Sequence, residues 1–391
     1  MRIVRDGSGG AAVARGRGPG GAPKLMPKKL LALSPMPIEG AGCRFRVAQY
    51  IPALEQAGFS VTVAPFFDAA FFSLVYRRGH YLKKFAAFVR QSVARLKLVM
   101  TRGRYDAYFI YREAYPFGPP WFEALLSRTG HPIIYDFDDA VWLNNTSDAN
   151  RFASGLKYPQ KVPSLLRRSA LVLAGNEYLA RYARGYNSSV AVLPTCVDTG
   201  IFVPRRTAPA AGAPPVIGWI GTPTTATYLK SLGPVLMRLA KMHDFELRVS
   251  GSGEPLQFSG VTTVNERWTL GREVELFNTC DIGVYPLKED EWAQGKCGFK
   301  AIQFMACGVP VVAAAVGVNK EIIEDGVNGF LASNEEEWNE KISRLLGDAE
   351  LRRRIGAAGR KTIEERYSLA VHAPRLAAML REVVGRKERA A

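Results

Sequence analysis

Apolar residues along this chain come in short runs separated by amphipathic stretches. Residues 29–34, 60–65, 106–111, 132–135, 170–174 and 190–194 read as strands, followed in the second half by 216–221, 245–251 and 311–315. Between them apolar positions recur at helical spacing, in 47–56, 226–241, 299–306, 338–346, 349–365 and 368–384. Strands that alternate with helices through Gly-containing loops predict doubly wound α/β sheets. A chain of 391 residues is long enough to fold into two domains, each with its own core.

The most informative stretch is 289–313. Phe299, Ile302 and Met305 lie three apart, on one face of a helix that Cys307-Gly308-Val309-Pro310 stops before the apolar run at 311–315. Just upstream stands Gly295-Lys296-Cys297-Gly298. A small-residue loop feeding a helix N-terminus, with Lys296 and Lys300 beside it, suits an anion, because free backbone N–H groups and the helix dipole both favour phosphate there. The same sequence would also serve as an ordinary loop before a core helix. Upstream, 274–287 reads as helix, strand and Pro-containing loop.

Three pieces in this order, "DIGVYPL" (281–287), "GFKAIQFMACGVPVV" (298–312) and "GVNGFL" (326–331), resemble the donor-binding domain of family 4 (group 1) glycosyltransferases. The resemblance implies a GT-B fold, two Rossmann-like doubly wound domains facing a central cleft. Composition makes 1–27, rich in Gly, Ala and Arg, a disordered extension and the Pro-rich 204–215 a linker. With the resemblance, the rest divides into an acceptor-side domain (28–203), a nucleotide-sugar donor domain (216–366) and a C-terminal helix (367–385) crossing back to the first domain. The resemblance also implies retaining transfer from a nucleotide-diphosphate sugar, used as co-substrate with no bound cofactor or metal, to a glycan or lipid-linked acceptor in cell-surface polysaccharide synthesis. The donor site would comprise Gly221, Thr222, Thr224, Thr225, Gly251, Tyr285, Lys296, Gly298, Phe299, Lys300 and Gln303. Lys300 and Gln303, with Asp138 and Asp139, are the catalytic candidates. Gly40, Gly42, Arg44, Arg46, Arg112, Glu113, Asn176 and Glu177 are expected on the acceptor side or in the cleft.

Two departures mark the donor motif. Many relatives carry two glutamates eight residues apart, where this chain has Gly295 and Gln303; many carry an Arg and a Lys after the first strand of the second domain, where this chain has Thr222 to Thr225. Gln303 is expected to hydrogen-bond donor hydroxyls in place of the carboxylate, and Lys300 to supply the missing diphosphate charge.

Charge adds a second theme. The net formal charge is +16, and residues 1–206 hold 29 Lys/Arg against 13 Asp/Glu, whereas 207–391 hold 23 of each. The excess therefore lies wholly in the N-terminal half and favours an anionic surface or substrate there. Between Tyr76 and Arg104 are nine Lys/Arg and no acid, on a helical pattern of Leu82, Phe85, Ala86, Val89, Val93, Leu96 and Met100. Such a helix fits an anionic membrane surface, or is a solvated wall of the domain. No nucleic-acid reader motif accompanies the charge.

Asp136-Phe137-Asp138 matches a three-residue metal motif, but an acceptor-side or structural role is expected instead. Five cysteines without metal spacing, and no apolar leader at the N-terminus, suggest a cytoplasmic protein, peripheral on the inner membrane face if the basic helix docks. The alternative functions are a non-catalytic nucleotide-sugar-binding protein and a polyanion-binding protein.

Overall fold

The computed structural model describes residues 26–75, 77, 79–143, 158–205 and 212–390. Most of the extension expected at 1–27 and half of the linker expected at 204–215 lie outside these residues. Among the described residues twelve strands form two sheets. The first contains β1 (Lys28–Ser34), β2 (Phe59–Pro65), β3 (Ala107–Tyr111), β4 (Ile133–Phe137), β5 (Leu171–Ala174) and β6 (Val190–Val192), in the order 2-1-3-4-5-6. The second contains β7 (Val216–Ile220), β8 (Glu246–Ser250), β9 (Thr262–Glu266), β10 (Ile282–Tyr285), β11 (Val311–Ala314) and β12 (Phe330–Ala332), in the order 12-11-10-7-8-9. Every pairing is parallel.

Parallel strands are covered by helices on both faces, which is why they read as unbroken apolar runs. In β1, Leu30 and Ala32 enter one core and Leu31 and Leu33 the opposite one, all at 1% exposure or less. Counted within its own sheet, the second order is that of a dinucleotide-binding fold, with the strand order reversing between β7 and β10. The first sheet reverses between β1 and β3. Ligands of such sheets bind outside the carboxyl ends of the strands at these reversals.

Two expected helices are broken by proline. The segment 226–241 divides into Ala226–Ser231 and Gly233–Leu239, because Pro234 has no N–H to continue the ladder. In the segment 47–56, Pro52 stands at the start of Ile51–Gln56, which follows a single 3₁₀ turn. Between β1 and that turn lies a further short helix, Ala41–Arg46. Strand β9 carried no apolar run, because TTVNE forms a half-exposed sheet edge. The last helix spans Leu369–Ala390 and buries Leu376, Leu380 and Val384 in the core of the first sheet. No helix among the described residues is long and apolar enough to cross a membrane.

Candidate active site

The carboxyl ends of both sheets open onto one cleft of about 810 Å³, open solvent included. One wall carries Gly42, Phe45, Asp138 and Asp139; the other carries Gly221, Thr222, Thr225, Tyr285, Lys296, Phe299 and Lys300. The walls touch at the floor. The Phe45 and Phe299 rings lie 4.4 Å apart, and the Cys297 thiol donates to the Asp138 carbonyl at 3.2 Å. Asn176 caps the helix Glu177–Arg184 and donates its amide to the carbonyls of Gly295 and Lys296 at 3.2 and 2.9 Å. The glycine at 295 has a steric cause here: a Cβ would stand 2.7 Å from the Ala140 Cβ. A glutamate at that position would force the two walls apart.

On the second wall, Gly298 adopts φ 64° and starts the helix Phe299–Ala306; a Cβ there would meet Ile322 at 2.4 Å. The first turn of that helix, whose Phe299 and Lys300 line the cleft, has N–H groups without intrahelical partners. Gly251, at φ 83°, passes so close to the Gly221 carbonyl that a Cβ would lie 2.4 Å from its oxygen. The Gly221–Thr225 loop is held by its own hydroxyls: Thr222 Oγ1 lies 2.8 Å from Thr224 Oγ1, and the Thr222 N–H donates to Thr225 Oγ1 at 2.9 Å. Burial pushes the Tyr285 phenol up, so it meets a ligand as a neutral hydroxyl. Lys296 lies over the Trp292 ring at 5.6 Å.

Lys300 donates to Gln303 Oε1 at 2.8 Å. Burial lowers its pKa to about 8, opposed by the Glu273 carboxylate and assisted by Arg44. Gln303 does not reach the cleft. It is fully buried, with its oxygen on Lys300 and its Nε2 donating to Glu273 at 3.4 Å. The expected contact of Gln303 with donor hydroxyls is therefore corrected: its polar atoms are occupied behind Lys300.

The first wall corrects further expectations. Arg46 is withdrawn from the cleft and fully buried; its Nε donates to Asp136 at 2.9 Å and its Nη1 to the Leu193 carbonyl at 2.6 Å. Arg44 is not open to an anion either, because its Nη2 straddles both oxygens of Glu273 at 3.0 and 2.9 Å. Arg112, at φ 60°, ion-pairs with Asp138 at 2.7 Å and with Asp139, while the Tyr111 hydroxyl donates to Asp138 at 2.8 Å. Glu113 pairs with Lys161 at 2.6 Å, and exposed Glu177 pairs with Arg184; neither lines the cleft. Gly42 is required at the wall, since a Cβ would fall 2.1 Å from the Tyr111 oxygen, whereas Gly40 packs on Met36 behind it.

The two cleft carboxyls differ. Burial raises both, but at Asp138 the Arg112 and Arg46 charges outweigh it and hold the carboxyl below the usual range. At Asp139 burial prevails over Arg112 and Lys296, and the carboxyl is raised. Environments that push two acids apart separate their roles, one staying ionised and one carrying a proton more readily.

Asp136 is engaged by Arg46, and Asp138 by Arg112 and Tyr111. Among the described residues no group of three or more His, Cys, Asp or Glu side chains is arranged to hold a metal. Because arginines occupy Asp136 and Asp138, any nucleotide-sugar turnover by this chain is expected to survive excess EDTA. Loss of turnover on chelation, with recovery on added Mn²⁺, would show that the Asp136–Asp138 carboxylates exchange their arginines for a metal.

Sequence reasoning missed Glu273, which lies in the unremarkable run GREVELF, and the cleft residues Phe45, Thr195, Trp219 and Tyr228. No motif marks any of them.

Solved structures share this architecture. Anabaena HepE in complex with UDP and glucose superposes with a TM-score of 0.63 at 17% identity, covering 91% of this chain and 100% of that one. Sucrose-phosphate synthase of Thermosynechococcus elongatus gives 0.61 at 16% identity, covering 92% and 100%. The fold is GT-B, two Rossmann-like domains about a cleft. Residues 214–348 match the family model of glycosyl transferases group 1. An uncharacterized glycosyltransferase of Methanocaldococcus jannaschii is 32% identical over 138 residues, 32% of this chain and 38% of that protein. The D-inositol 3-phosphate glycosyltransferase of Segniliparus rotundus is 28% identical over 208 residues, 46% and 44% of the two. The matched stretches span less than half the length of these two relatives.

Proposed function

We propose that this chain is a retaining family 4 glycosyltransferase that moves a sugar from a nucleotide-diphosphate sugar to a glycan or lipid-linked acceptor. The observation that carries the reading is the convergence of Lys296, Lys300, the Gly298 helix start and the Gly221–Thr225 loop on one cleft at the strand ends. As the anomeric C–O bond breaks, its electron pair passes to the departing nucleoside diphosphate. These groups are already oriented to stabilise the charge that develops there. The acceptor oxygen forms the new bond on the same face and gives its proton to a donor phosphate oxygen, so no carboxylate nucleophile is needed, in contrast to retaining glycosidases. Contact between the walls keeps water from the anomeric carbon. Asp139, the more readily protonated acid, and Asp138, held by Arg112, would orient the acceptor hydroxyls.

HepE, of similar fold, was solved with UDP-glucose, so uridine sugars are the first donors to try. Incubation with a panel of nucleotide sugars and acceptors, with the product anomer read by NMR, tests the reading. Retention of the donor configuration supports it. Tight donor binding without transfer or hydrolysis would instead favour a non-catalytic binding protein, and salt-sensitive nucleic-acid affinity a polyanion binder.

The helix Tyr81–Met100 adds a place of work. Leu82, Phe85 and Met100 are 87%, 67% and 62% exposed, and Val89, Val93 and Leu96 are exposed beside them. At about 100° per residue these six fall within a stripe about 80° wide, and Lys83 and Lys97 stand along its edge, with Arg90 between them ion-paired to Asp68 at 2.6 Å. An apolar stripe bordered by Lys83 and Lys97 fits an anionic bilayer surface, here the cytoplasmic face of the cell membrane. A second copy laid face to face would set two cationic edges together.

Arg95, read from sequence as part of this surface, instead points inward and donates to the Ala64 carbonyl at 2.8 Å. Arg90 is taken by Asp68, so the surface charge variant is Lys83→Gln and Lys97→Gln together. With about 1 kcal/mol per cation, binding to vesicles containing phosphatidylglycerol should fall about 30-fold while transfer to a soluble acceptor persists. Equal sedimentation of variant and wild type with such vesicles would leave the helix as a solvated wall. A concentration-dependent dimer lost in Phe85→Ser would make it a self-interface.

A further inference from the structure

Behind Lys300 lies a chain of side chains that crosses from one domain to the other. Arg44, from the first domain, is anchored to the carbonyls of Ile38 and Glu39 at 3.1 and 3.3 Å, and its Nη2 straddles the Glu273 carboxylate. Glu273 accepts from Gln303 Nε2 at 3.4 Å, and Gln303 Oε1 accepts from Lys300 at 2.8 Å. The amide orientation of Gln303 is dictated by its neighbours, since an ammonium only donates and a carboxylate only accepts. The Arg44 and Glu273 side chains are 14% and 7% exposed, so the pair is poorly screened.

Two cations thus flank one carboxylate, and the carboxylate can be claimed fully by only one of them. In this arrangement Arg44 claims it. Lys300 is left with a neutral amide as its partner and its charge free for the cleft. We propose that Glu273 is a positioning residue for Lys300, and that Arg44, reaching across the cleft, keeps Glu273 from capturing that lysine so that it can grip the donor diphosphate. The assignment rests on the donor-site reading above and extends it to two residues outside the donor motif. It also gives wall contact a chemical consequence, because only when the domains meet does Arg44 reach Glu273.

Removing Arg44 alone turns the freed Glu273 carboxylate toward Lys300, and removing Glu273 as well releases the lysine again. Calorimetric titration with UDP at pH 7 is expected to show Arg44→Gln weakening binding about tenfold, the scale of one charge-assisted contact. The double variant Arg44→Gln/Glu273→Gln is expected to recover to within about threefold of wild type, a non-additivity that marks direct coupling. A double variant as weak as Arg44→Gln, with circular dichroism showing both folded, would overturn the proposal.

A donor-free readout separates this relay from the donor reading. NMR titration of the Lys300 side chain faces two charged groups, Glu273 and Arg44. Losing the carboxylate in Glu273→Gln should move the titration below its wild-type position near pH 8, and losing the cation in Arg44→Gln should move it above. Identical titrations in all three proteins refute the relay, whatever UDP does. Failure of wild type to bind UDP, with the titration shifts present, counts against the uridine donor and leaves the relay standing.

Discussion

Replacing Lys300 with alanine is expected to lower kcat/KM for the nucleotide sugar at least about tenfold in a protein that remains folded. One cation facing a diphosphate contributes a charge-assisted interaction of roughly 1.5–3 kcal/mol, and Lys300 is the cleft cation whose protonation burial has made sensitive. Its pKa near 8 adds a pH signature. A lowered ammonium pKa means that the charged, binding-competent form predominates below pH 8 and is lost above it. The profile of kcat/KM, which reports the free enzyme, should therefore fall as pH rises through about 8. Lys300→Arg keeps its charge throughout and should abolish that fall while restoring activity only in part, because a planar guanidinium differs in reach. Steady-state rates from pH 6 to 9.5 on the three proteins decide the matter. Unchanged transfer in folded Lys300→Ala would remove the residue from the site.

The largest effect on stability is expected at Asp136. Its side chain and that of Arg46 are both wholly buried and paired to each other. Asp136→Ala leaves the guanidinium with the Leu193 carbonyl and a long contact to Thr195 at 3.4 Å. Breaking a buried ion pair from one side typically costs about 3–5 kcal/mol, which for a domain of this size lowers Tm by roughly 10 °C. The double replacement Arg46→Met/Asp136→Leu should recover most of that loss, since two apolar side chains leave no stranded charge. Thermal unfolding followed by circular dichroism compares the three proteins. A single variant as stable as wild type would mean that the pair is not the clamp it forms here. This clamp joins the helix Ala41–Arg46 to the end of β4, and so fixes the wall that carries Gly42 and Asp138.

Most strands of both sheets were legible because helices cover both faces, so central strands such as β3 and β11 are apolar throughout, whereas the half-exposed edge strand β9 is not. The donor helix was legible for a similar reason: Gly298, Pro310 and the Phe299–Ile302–Met305 face each answer a local demand. What the sequence hid was partnership. Arg44 and Arg46 stand two apart on a six-residue helix, and nothing in their spacing says that one meets Glu273 and the other Asp136. Gln303 looked like a ligand to the donor because its position is read along one helix, whereas its partner Glu273 enters from another. Gly295 looked like a lost carboxylate until Ala140 was seen against it. Contacts made across domains are long-range in sequence and leave no local trace.

The central claim is that this cleft holds a nucleoside diphosphate through Lys300. Calorimetric titration of UDP, ADP and GDP into wild type and Lys300→Ala at pH 6.5 and pH 9 tests it most directly. The account predicts saturable one-site binding of at least one of the three to wild type at pH 6.5, weaker at pH 9, and weaker at both pH values in Lys300→Ala, where the pH dependence disappears. Binding of none of the three, or equal binding by wild type and Lys300→Ala at both pH values, would contradict it.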